Sequence, residues 1–308
     1  MEDLITTGLD SPSGIALDIA AGKMYWTENI ADKIRRANLD GTVVEDLVTT
    51  GLSIPSGIAL DIADGKMYWT DPGTDKIQRA DLDGSNVVDL ITALPNPFGI
   101  ALDVAGGKMY WTDYGADKIQ RADLDGSAVE DLVTTGLFTP QHIALDVAGG
   151  KMYWADLDTQ KIQRANLNGT SVEDLVTTEN LVGPRGIALD VAGGKMYWSD
   201  SFADKIQRAN LDGSGIEDLV TGLSDYTGVA LQIVPPPPEA SFDPAQLDFE
   251  QEIVGDTSLE TTTLTNTGGE TMIVSNIEVV GTDAAVFAFS GSTTPSILPA
   301  GTLILSVD

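Results

Sequence analysis

The chain of 308 residues contains no cysteine, which excludes disulfide bonds, thiol catalysis and cysteine-ligated zinc sites. Basic residues are scarce, because 17 Lys and Arg stand against 47 Asp and Glu, and no basic residue follows Arg208. The net charge of −30 repels phosphate backbones, so we expect no nucleic-acid partner. The simplest interpretation of this acidity is solubility.

Long apolar runs are also missing. No stretch approaches the roughly 18 residues of a membrane span, so we expect no membrane insertion. The first residues, Met1–Leu4, carry neither the basic nor the apolar region of a signal peptide. We interpret this as a loss by truncation, and we expect an extracellular or cell-surface protein.

A six-residue stretch that begins Lys-Met-Tyr-Trp occurs five times and contains all five tryptophans. The copies are Lys23–Glu28, Lys66–Asp71, Lys108–Asp113, Lys151–Asp156 and Lys195–Asp200. They start 42 to 44 residues apart, and self-similarity at a period of about 40 residues is typical of a propeller. Because the placement is the same in every copy, we predict that the tryptophans lie in the core and do not form a stacking platform for sugars or bases.

Each repeat is predicted to form four short antiparallel strands, as residues 99–137 illustrate. The strands of this repeat are Gly99–Asp103, Lys108–Thr112, Lys118–Leu124 and Val129–Thr134. Apolar, aromatic and β-branched residues favour strands, and paired glycines or Asp-Gly favour the turns between them. Four antiparallel strands per repeat make one propeller blade.

The motifs Tyr68–Asp71 and Tyr110–Asp113, each followed by Lys-Ile-Gln-Arg-Ala-Asp-Leu-Asp-Gly after a short loop, resemble the YWTD repeat of the low-density lipoprotein receptor family. The resemblance covers a domain over residues 1–234 and implies a six-bladed propeller. Five complete units run from about Gly14 to Thr221. Glu2–Thr7 matches a fourth strand and Thr227–Val234 a first strand, so we predict a split, incomplete sixth blade. Its open edges make self-association through this blade an expectation.

The repeat stops at a proline-rich linker over residues 235–240, which we expect to be stiff and extended. Beyond it, Gln246–Glu250, Thr261–Thr267 and Met272–Val280 are predicted as short strands. The sequence over residues 247–287 resembles the abnormal-spindle/hydin-type immunoglobulin-like domain. This resemblance implies an incomplete immunoglobulin-like β-sandwich over residues 241–308, and an all-β fold for the whole chain.

Two charged positions recur in the repeats, the Asp that ends the motif and an Arg in the third strand. They are Asp71, Asp113, Asp156 and Asp200, and Arg36, Arg79, Arg121, Arg164 and Arg208. Catalysis needs one unusual place, whereas these residues recur from blade to blade. We therefore predict structural pairing within or between blades, which the family resemblance also implies.

The two faces of the predicted propeller differ in sequence variety. The first and third connections of each repeat barely change, whereas the second connections and the links between blades vary freely. Variety and aromatic residues on a rigid scaffold favour a binding face, and relaxed drift of loops is the alternative. The predicted contacts are the apolar anchors Phe98, Tyr114, Phe138 and Phe202 and the polar residues Arg185 and His142. His142 is the only histidine and stands where the other repeats have glycine, so a tolerated replacement is the alternative for it.

We therefore expect a non-catalytic extracellular protein-binding or adhesion module that presents one variable face to a protein or surface polymer. No catalytic residue, cofactor or metal is predicted. A rival is a calcium-dependent six-bladed hydrolase or lactonase, which needs oxygen ligands converging on the axis. The residues before the first-strand glycine or His142 disfavour it, since they include no acid: Ser13, Ser56, Phe98, Gln141, Arg185 and Thr227. A purely structural surface repeat protein is a third possibility.

Overall fold

The structure is a computed structural model, and it divides the chain into two compact units, Met1–Gln232 and Ile233–Asp308. In the first unit it describes residues 3–177, 181–223 and 228–232. In the second it describes the strands at 240–243, 260–266, 272–273, 289–290, 296–297 and 302–307. The predicted linker at 235–240 and the predicted strand Gln246–Glu250 lie outside the described residues, apart from position 240.

The first unit contains five four-stranded antiparallel sheets, each with its strands in chain order. Blade 1 consists of β1 (Pro12–Asp18), β2 (Lys23–Glu28), β3 (Lys33–Asn38) and β4 (Glu45–Val48). Blade 2 consists of β5 (Ile58–Asp61), β6 (Lys66–Asp71), β7 (Lys76–Asp81) and β8 (Val88–Thr92), with a 3₁₀ turn at Pro72–Thr74. Blade 3 consists of β9 (Pro97–Asp103), β10 (Lys108–Asp113), β11 (Lys118–Asp123) and β12 (Glu130–Val133). Blade 4 consists of β13 (Pro140–Asp146), β14 (Lys151–Asp156), β15 (Lys161–Asn166) and β16 (Glu173–Val176). Blade 5 consists of β17 (Pro184–Asp190), β18 (Lys195–Asp200), β19 (Lys205–Asn210) and β20 (Glu217–Thr221).

The alternation of side chains along the second strand explains how the blades pack. In β10, Met109 and Trp111 point to one face of the sheet and Tyr110 to the other, because successive residues of a strand face opposite ways. We call the Met and Trp side the leading face, since it packs on the preceding blade, and the Tyr side the trailing face. Between blades 2 and 3, the trailing-face residues Tyr68 and Ile77 share one core cluster with Met109 and Trp111.

The same cluster recurs between blades 1 and 2, 3 and 4, and 4 and 5. The tryptophans are buried in all five blades, as the sequence predicts. Each indole N–H also has an acceptor: Trp111 Nε1 donates to Gln120 Oε1 on the third strand at 3.1 Å. In blade 1, where Arg35 stands at the glutamine position, Trp26 Nε1 donates to Glu28 Oε1 at 3.0 Å instead. Burial and a satisfied donor together give the tryptophan a structural role.

The prediction of a six-bladed propeller is wrong, because the first unit is a propeller of five four-stranded blades. The two segments assigned to a split sixth blade form no strand where they are described, at residues 3–7 and 228–232. A fourth strand pairs with a third strand and a first strand with a second. Every copy of those partner strands is already used in blades 1–5, so neither segment has a ladder to join.

The second unit contains β21 (Ala240–Asp243), β22 (Glu260–Asn266), β23 (Met272–Ile273), β24 (Phe289–Ser290), β25 (Ser296–Ile297) and β26 (Thr302–Val307). Four of them form a sheet in the order β21-β22-β26-β24, and β23 pairs with β25. A sandwich needs two packed sheets, and the described strands show one sheet and one pair of two-residue strands. The predicted immunoglobulin-like sandwich is therefore not evident in the described strands. Local alternation predicted a strand at Thr261–Thr267, which the structure has at Glu260–Asn266, but alternation carries no information on which strands pair.

Candidate binding face of the propeller

The two faces of the propeller are built differently. The constant face carries the turns between the first and second strands and between the third and fourth strands of each blade. Its turns contain a glycine with positive φ in every blade, such as Gly107 at 66° and Gly126 at 87° in blade 3. The variable face carries the loops between the second and third strands, together with the links between blades. In the described residues, all six predicted contacts belong to elements on the variable face.

The Asp that ends four of the five motif copies anchors this variable face. Asp71 accepts a hydrogen bond from the Ser53 backbone N–H at 3.0 Å, and Asp156 accepts one from the Phe138 N–H at 2.9 Å. Asp200 accepts bonds from the Val182 and Gly183 N–H groups, both at 2.8 Å. Each carboxylate therefore ties the loop of its own blade to the link that precedes it.

Burial is the main influence on the pKa of three of the motif carboxylates, Asp71, Asp113 and Asp156. It raises the pKa of Asp71 to about 6, and the charge of Asp32 adds to the effect, whereas the Ser53 and Thr74 hydrogen bonds oppose it. Burial also raises the pKa of Asp113 and Asp156. Perturbed carboxylates are common at functional sites, but these bind the backbone of their own scaffold. Their role is to hold the loops.

The recurring Arg of the third strand does not pair with this Asp, contrary to one form of the expected charge pairing. Arg164 donates to Glu173 Oε2 at 2.5 Å on the fourth strand and lies 5.7 Å from the Tyr153 ring centroid. It also donates to the Leu211 carbonyl of the next blade at 3.1 Å. The arginines thus have a structural role on the trailing faces, within and between blades.

The third motif position links neighbouring blades through its hydroxyl. Thr70 Oγ1 accepts from the Gly57 N–H at 2.8 Å and donates to the Phe98 carbonyl of the next blade at 2.5 Å. The strands approach closely there, since a Cβ added at Gly57 would lie 2.5 Å from the Phe98 carbonyl oxygen. Blade 4 differs from the other blades at both of these positions. It has Ala155 in place of the hydroxyl residue and His142 in place of the glycine.

Three of the predicted contacts come together on the variable face. The Phe98 ring lies edge-on to His142 at a centroid distance of 5.4 Å and is tilted against Tyr114 at 6.5 Å. Beside them is a pocket of about 300 Å³ between blades 2 and 3. Its lining residues are Ile54, Ser56, Pro72, Gly73, Asn96, Phe98 and Tyr114. The small residues Ser56 and Gly73 leave the space that Phe98 and Tyr114 border.

His142 is an uncharged member of this group at neutral pH. Burial, and to a smaller extent the charge of Arg185, lowers its pKa to about 4. Its Nε2 atom is buried and has no hydrogen-bond partner in the described residues. A neutral imidazole against the Phe98 ring suits packing or a single polar contact.

Arg185 and Phe202 form a second group in blade 5. The Arg185 guanidinium lies 5.8 Å from the Phe202 ring centroid, and its Nε donates to Ser201 Oγ at 2.8 Å. Phe202 is 62% exposed and Phe138 is 54% exposed. In the described part of the chain, Phe138 has no ring contact with either group. The structure therefore places the predicted residues on one face as two groups and one separate side chain.

Sequence reasoning missed two apolar residues of this face. Ile30 is 71% exposed in the blade 1 loop, and Ile54 is half exposed at the pocket. Ile54 also has a φ of 59°, and Ser11 and Thr139 have φ of 57° and 60°. All three precede a proline at the same position of a link, so this conformation belongs to the repeated link. A sequence signal was present, because Ile54 precedes Pro55 in a link and proline restricts the backbone conformation of the residue before it. The sequence prediction took only aromatic residues as apolar anchors and so did not include Ile54.

The described residues contain no group of three or more His, Cys, Asp or Glu side chains placed to hold a metal ion. Of the six positions before the first-strand glycine or His142, five are described, and they supply two hydroxyls, an amide, an aromatic ring and a guanidinium. Thr227 lies outside the described residues. This donor set does not fit a calcium ion.

Comparison with known proteins now identifies the repeat. The family model for the low-density lipoprotein receptor repeat class B matches residues 22–62, 65–104, 107–147 and 150–191, which is more than half of the chain. The chain belongs to this family. The matched segments run from the second strand of one blade to the first strand of the next.

Individual relatives share the repeat and the fold. Mouse (Mus musculus) nidogen-2 is 54% identical over 41 residues, which are 13% of this chain and 3% of nidogen-2. A structure of a nidogen/laminin complex has a TM-score of 0.66 at 28% identity, covering 71% of this chain and 83% of that one. Virginiamycin B lyase from Staphylococcus aureus has a TM-score of 0.56 at 17% identity, covering 96% and 94%. At that identity the lyase shows a shared fold alone.

The chain thus spans a small part of the length of nidogen-2. Among the described residues, no helix is long and apolar enough to cross a membrane.

Proposed function

We propose that the propeller is a non-catalytic module that binds a protein through its variable face. The observation that carries this proposal is the pocket between blades 2 and 3, bordered by Phe98, Tyr114 and the half-exposed Ile54. Binding energy at protein interfaces concentrates in a few anchors that enter such pockets. The pocket volume of about 300 Å³ suits one or two side chains of a partner, since small-molecule sites start near that size.

The relatives support a protein partner. One matching structure is a nidogen/laminin complex, so a related propeller occurs in a protein assembly. Nidogen-like propellers and the receptor repeats also support an extracellular or cell-surface location with a role in adhesion. Laminin-type proteins are therefore reasonable first candidates, and a surface polymer is a less specific one.

Two features of the variable face favour a binding role over catalysis. His142 is neutral and has no partner for its Nε2 atom in the described residues, so it lacks the acid or nucleophile that a proton relay requires. The buried Asp71, Asp156 and Asp200 accept bonds from their own backbone. Self-association is a separate expectation from the sequence. It concerns the segments Glu2–Thr7 and Thr227–Val234 and not the variable face.

Selection of a random peptide display library tests the proposal. The library is enriched on the wild-type chain, and each peptide is then measured on Tyr114→Ser and Ile54→Ser. The matched controls are Val104→Ser and Val147→Ser, which alter comparably exposed apolar residues on the constant face. We expect selected peptides to lose roughly tenfold or more in affinity, about 1.4 kcal/mol, on the first pair only.

Peptides that bind all four variants as tightly as wild type would refute the variable face as the binding site. Equal losses on both pairs would also count against it, because they would indicate a general change in the fold. Thermal melts of the four variants separate loss of binding from loss of structure.

A further inference from the structure

Arg79 of blade 2 is the exception among the recurring third-strand arginines. In the other four blades this arginine forms an ion pair with a glutamate at the start of the fourth strand. The pairs are Arg36 with Glu45 at 2.6 Å, Arg121 with Glu130 at 2.9 Å, Arg164 with Glu173 at 2.5 Å, and Arg208 with Glu217 at 2.9 Å. In blade 2 the residue opposite the arginine, in the same register, is Val88. The glutamate is thus replaced by a side chain that cannot accept a hydrogen bond.

The Arg79 guanidinium nevertheless keeps the position from which the other arginines bind glutamate. It lies 5.8 Å from the centroid of the Tyr68 ring, and the equivalent distances in the other blades are 5.7 to 5.9 Å. Arg121 donates both to Glu130 and to the Leu167 carbonyl of the next blade. Within the residues that the structure describes, Arg79 has no ion pair and its N–H groups have no acceptor. The ring therefore holds a guanidinium whose donors are available to a ligand.

The acid on the neighbouring blade does not replace the missing glutamate. The pKa of Asp125 is lowered chiefly by its hydrogen bonds from Ser127, and to a smaller extent by the charge of Arg79. Asp212 has the same relation to Arg164 between blades 4 and 5, where the glutamate is still present. An Asp at this position thus accompanies the Arg–Glu pair and is not an alternative to it.

We propose that Arg79, together with the neighbouring Val87 and Val88, binds a glutamate side chain from an extended segment of a partner protein. We call these three residues the blade 2 notch. The chemistry of the occupant follows from the other four blades, in which the same arginine position holds a glutamate carboxylate. The hydrogen bond from Arg36 and its charge lower the pKa of the Glu45 carboxyl, so the position favours an ionised carboxylate even in this acidic chain.

Charge and exposure define the partner segment further. An exposed ion pair contributes little by itself, because water and salt screen both charges, so Arg79 alone would not hold a small free carboxylate. Val87 and Val88 are each 41% exposed and supply apolar area that a polypeptide can cover. The net charge of −30 repels a highly acidic partner, so we expect one glutamate in an otherwise uncharged, partly apolar segment. The notch does not line the pocket of the variable face, and the two binding proposals therefore fail or succeed independently.

A display library of short peptides with one fixed glutamate and random uncharged flanks tests the proposal. The library is enriched on the wild-type chain and depleted on Val88→Glu, a variant that supplies the missing carboxylate from within the chain. We expect the remaining peptides to lose roughly tenfold or more in affinity on Arg79→Gln, and also when their own glutamate is changed to glutamine. Arg121→Gln is the matched control, because it removes the same side chain from blade 3, where Glu130 already occupies the site. It should bind the peptides like wild type.

The repeat also allows the notch to be built a second time. Glu130→Val gives blade 3 the Arg–Val arrangement of blade 2, beside the exposed Val129, so calorimetric titration should show two peptides bound per chain in place of one. Removal of every peptide by the depletion step overturns the proposal, as does equal affinity for Arg79→Gln or for the glutamine peptides. An unchanged stoichiometry in Glu130→Val also overturns it. Thermal melts of each variant separate loss of binding from loss of structure.

Discussion

The hydroxyl link between blades leads to a sharp stability prediction at Thr70. Its Oγ1 accepts from the Gly57 N–H and donates to the Phe98 carbonyl of the next blade, in a buried position. Thr70→Val keeps the size and shape of the side chain but removes both hydrogen bonds. Thr70→Ser keeps the hydroxyl and removes one methyl group, as blade 5 does naturally with Ser199, which accepts from the Gly186 N–H at 2.9 Å.

The expected magnitude follows from what each variant leaves unpaired. The Gly57 N–H also donates to the Phe98 carbonyl at 2.9 Å, so neither backbone group is orphaned when the hydroxyl is lost. Thr70→Val should therefore cost about 1–3 kcal/mol, at roughly 1 kcal/mol for each hydrogen bond. Thr70→Ser should cost about 0.8 kcal/mol or less, the value of one buried methylene.

Urea unfolding followed by tryptophan fluorescence measures both values, since every tryptophan lies in the propeller. Thermal melting gives a second readout, at about 2–4 °C for each kcal/mol in a unit of this size. The reasoning is refuted if Thr70→Val is as stable as wild type, or more stable than Thr70→Ser. Either result would mean that packing, and not the hydroxyl, joins the blades at this point.

Three further predictions concern pH and close packing. The pKa of Asp71 is raised to about 6 in the folded chain. Its contribution to stability is therefore full at a pH below the pKa of the unfolded chain, and it is lost as the pH rises through 6. Between pH 4 and pH 7, Asp71→Asn should thus lose less stability than wild type, and parallel melting curves for the two proteins would contradict this. The lowered pKa of His142, about 4, has the opposite sign, since its contribution is present above pH 6.5 and lost as the pH falls toward 4. His142→Gln should therefore melt with a weaker decline on acidification, and an unchanged decline would count against the assignment. Gly57→Ala should cost about 1–3 kcal/mol in urea unfolding, because its Cβ would lie 2.5 Å from the Phe98 carbonyl oxygen; a variant as stable as wild type would show that the strands can separate.

Much of the blade was predictable from local pattern. The strands predicted at Lys108–Thr112 and Lys118–Leu124 are found at Lys108–Asp113 and Lys118–Asp123. The burial of Trp111 also followed from repetition, because a side chain needed in every blade serves the scaffold. Local alternation and turn residues are sufficient for these features, since neighbouring strands of a blade are joined by short hairpins.

The site was predictable in part. Variety among the repeats placed Phe98, Tyr114 and His142 on one face, but no pattern showed that their rings meet. The pocket depends on Ser56 and Gly73 being small where two links and two loops converge. These residues are far apart in the sequence, so their common space appears only when the blades are assembled.

The sequence by itself determined the blade, because the period, the motif and the hairpin turns act over a few residues. Tertiary structure alone decided how many blades form, since a strand such as the one expected at Glu2–Thr7 exists only where a partner strand remains free for pairing. It also decided that residues 260–266 and 302–307 join one sheet, a pairing between segments that alternation cannot match. Local chemistry selects a strand, and long-range hydrogen bonding and packing select its neighbour.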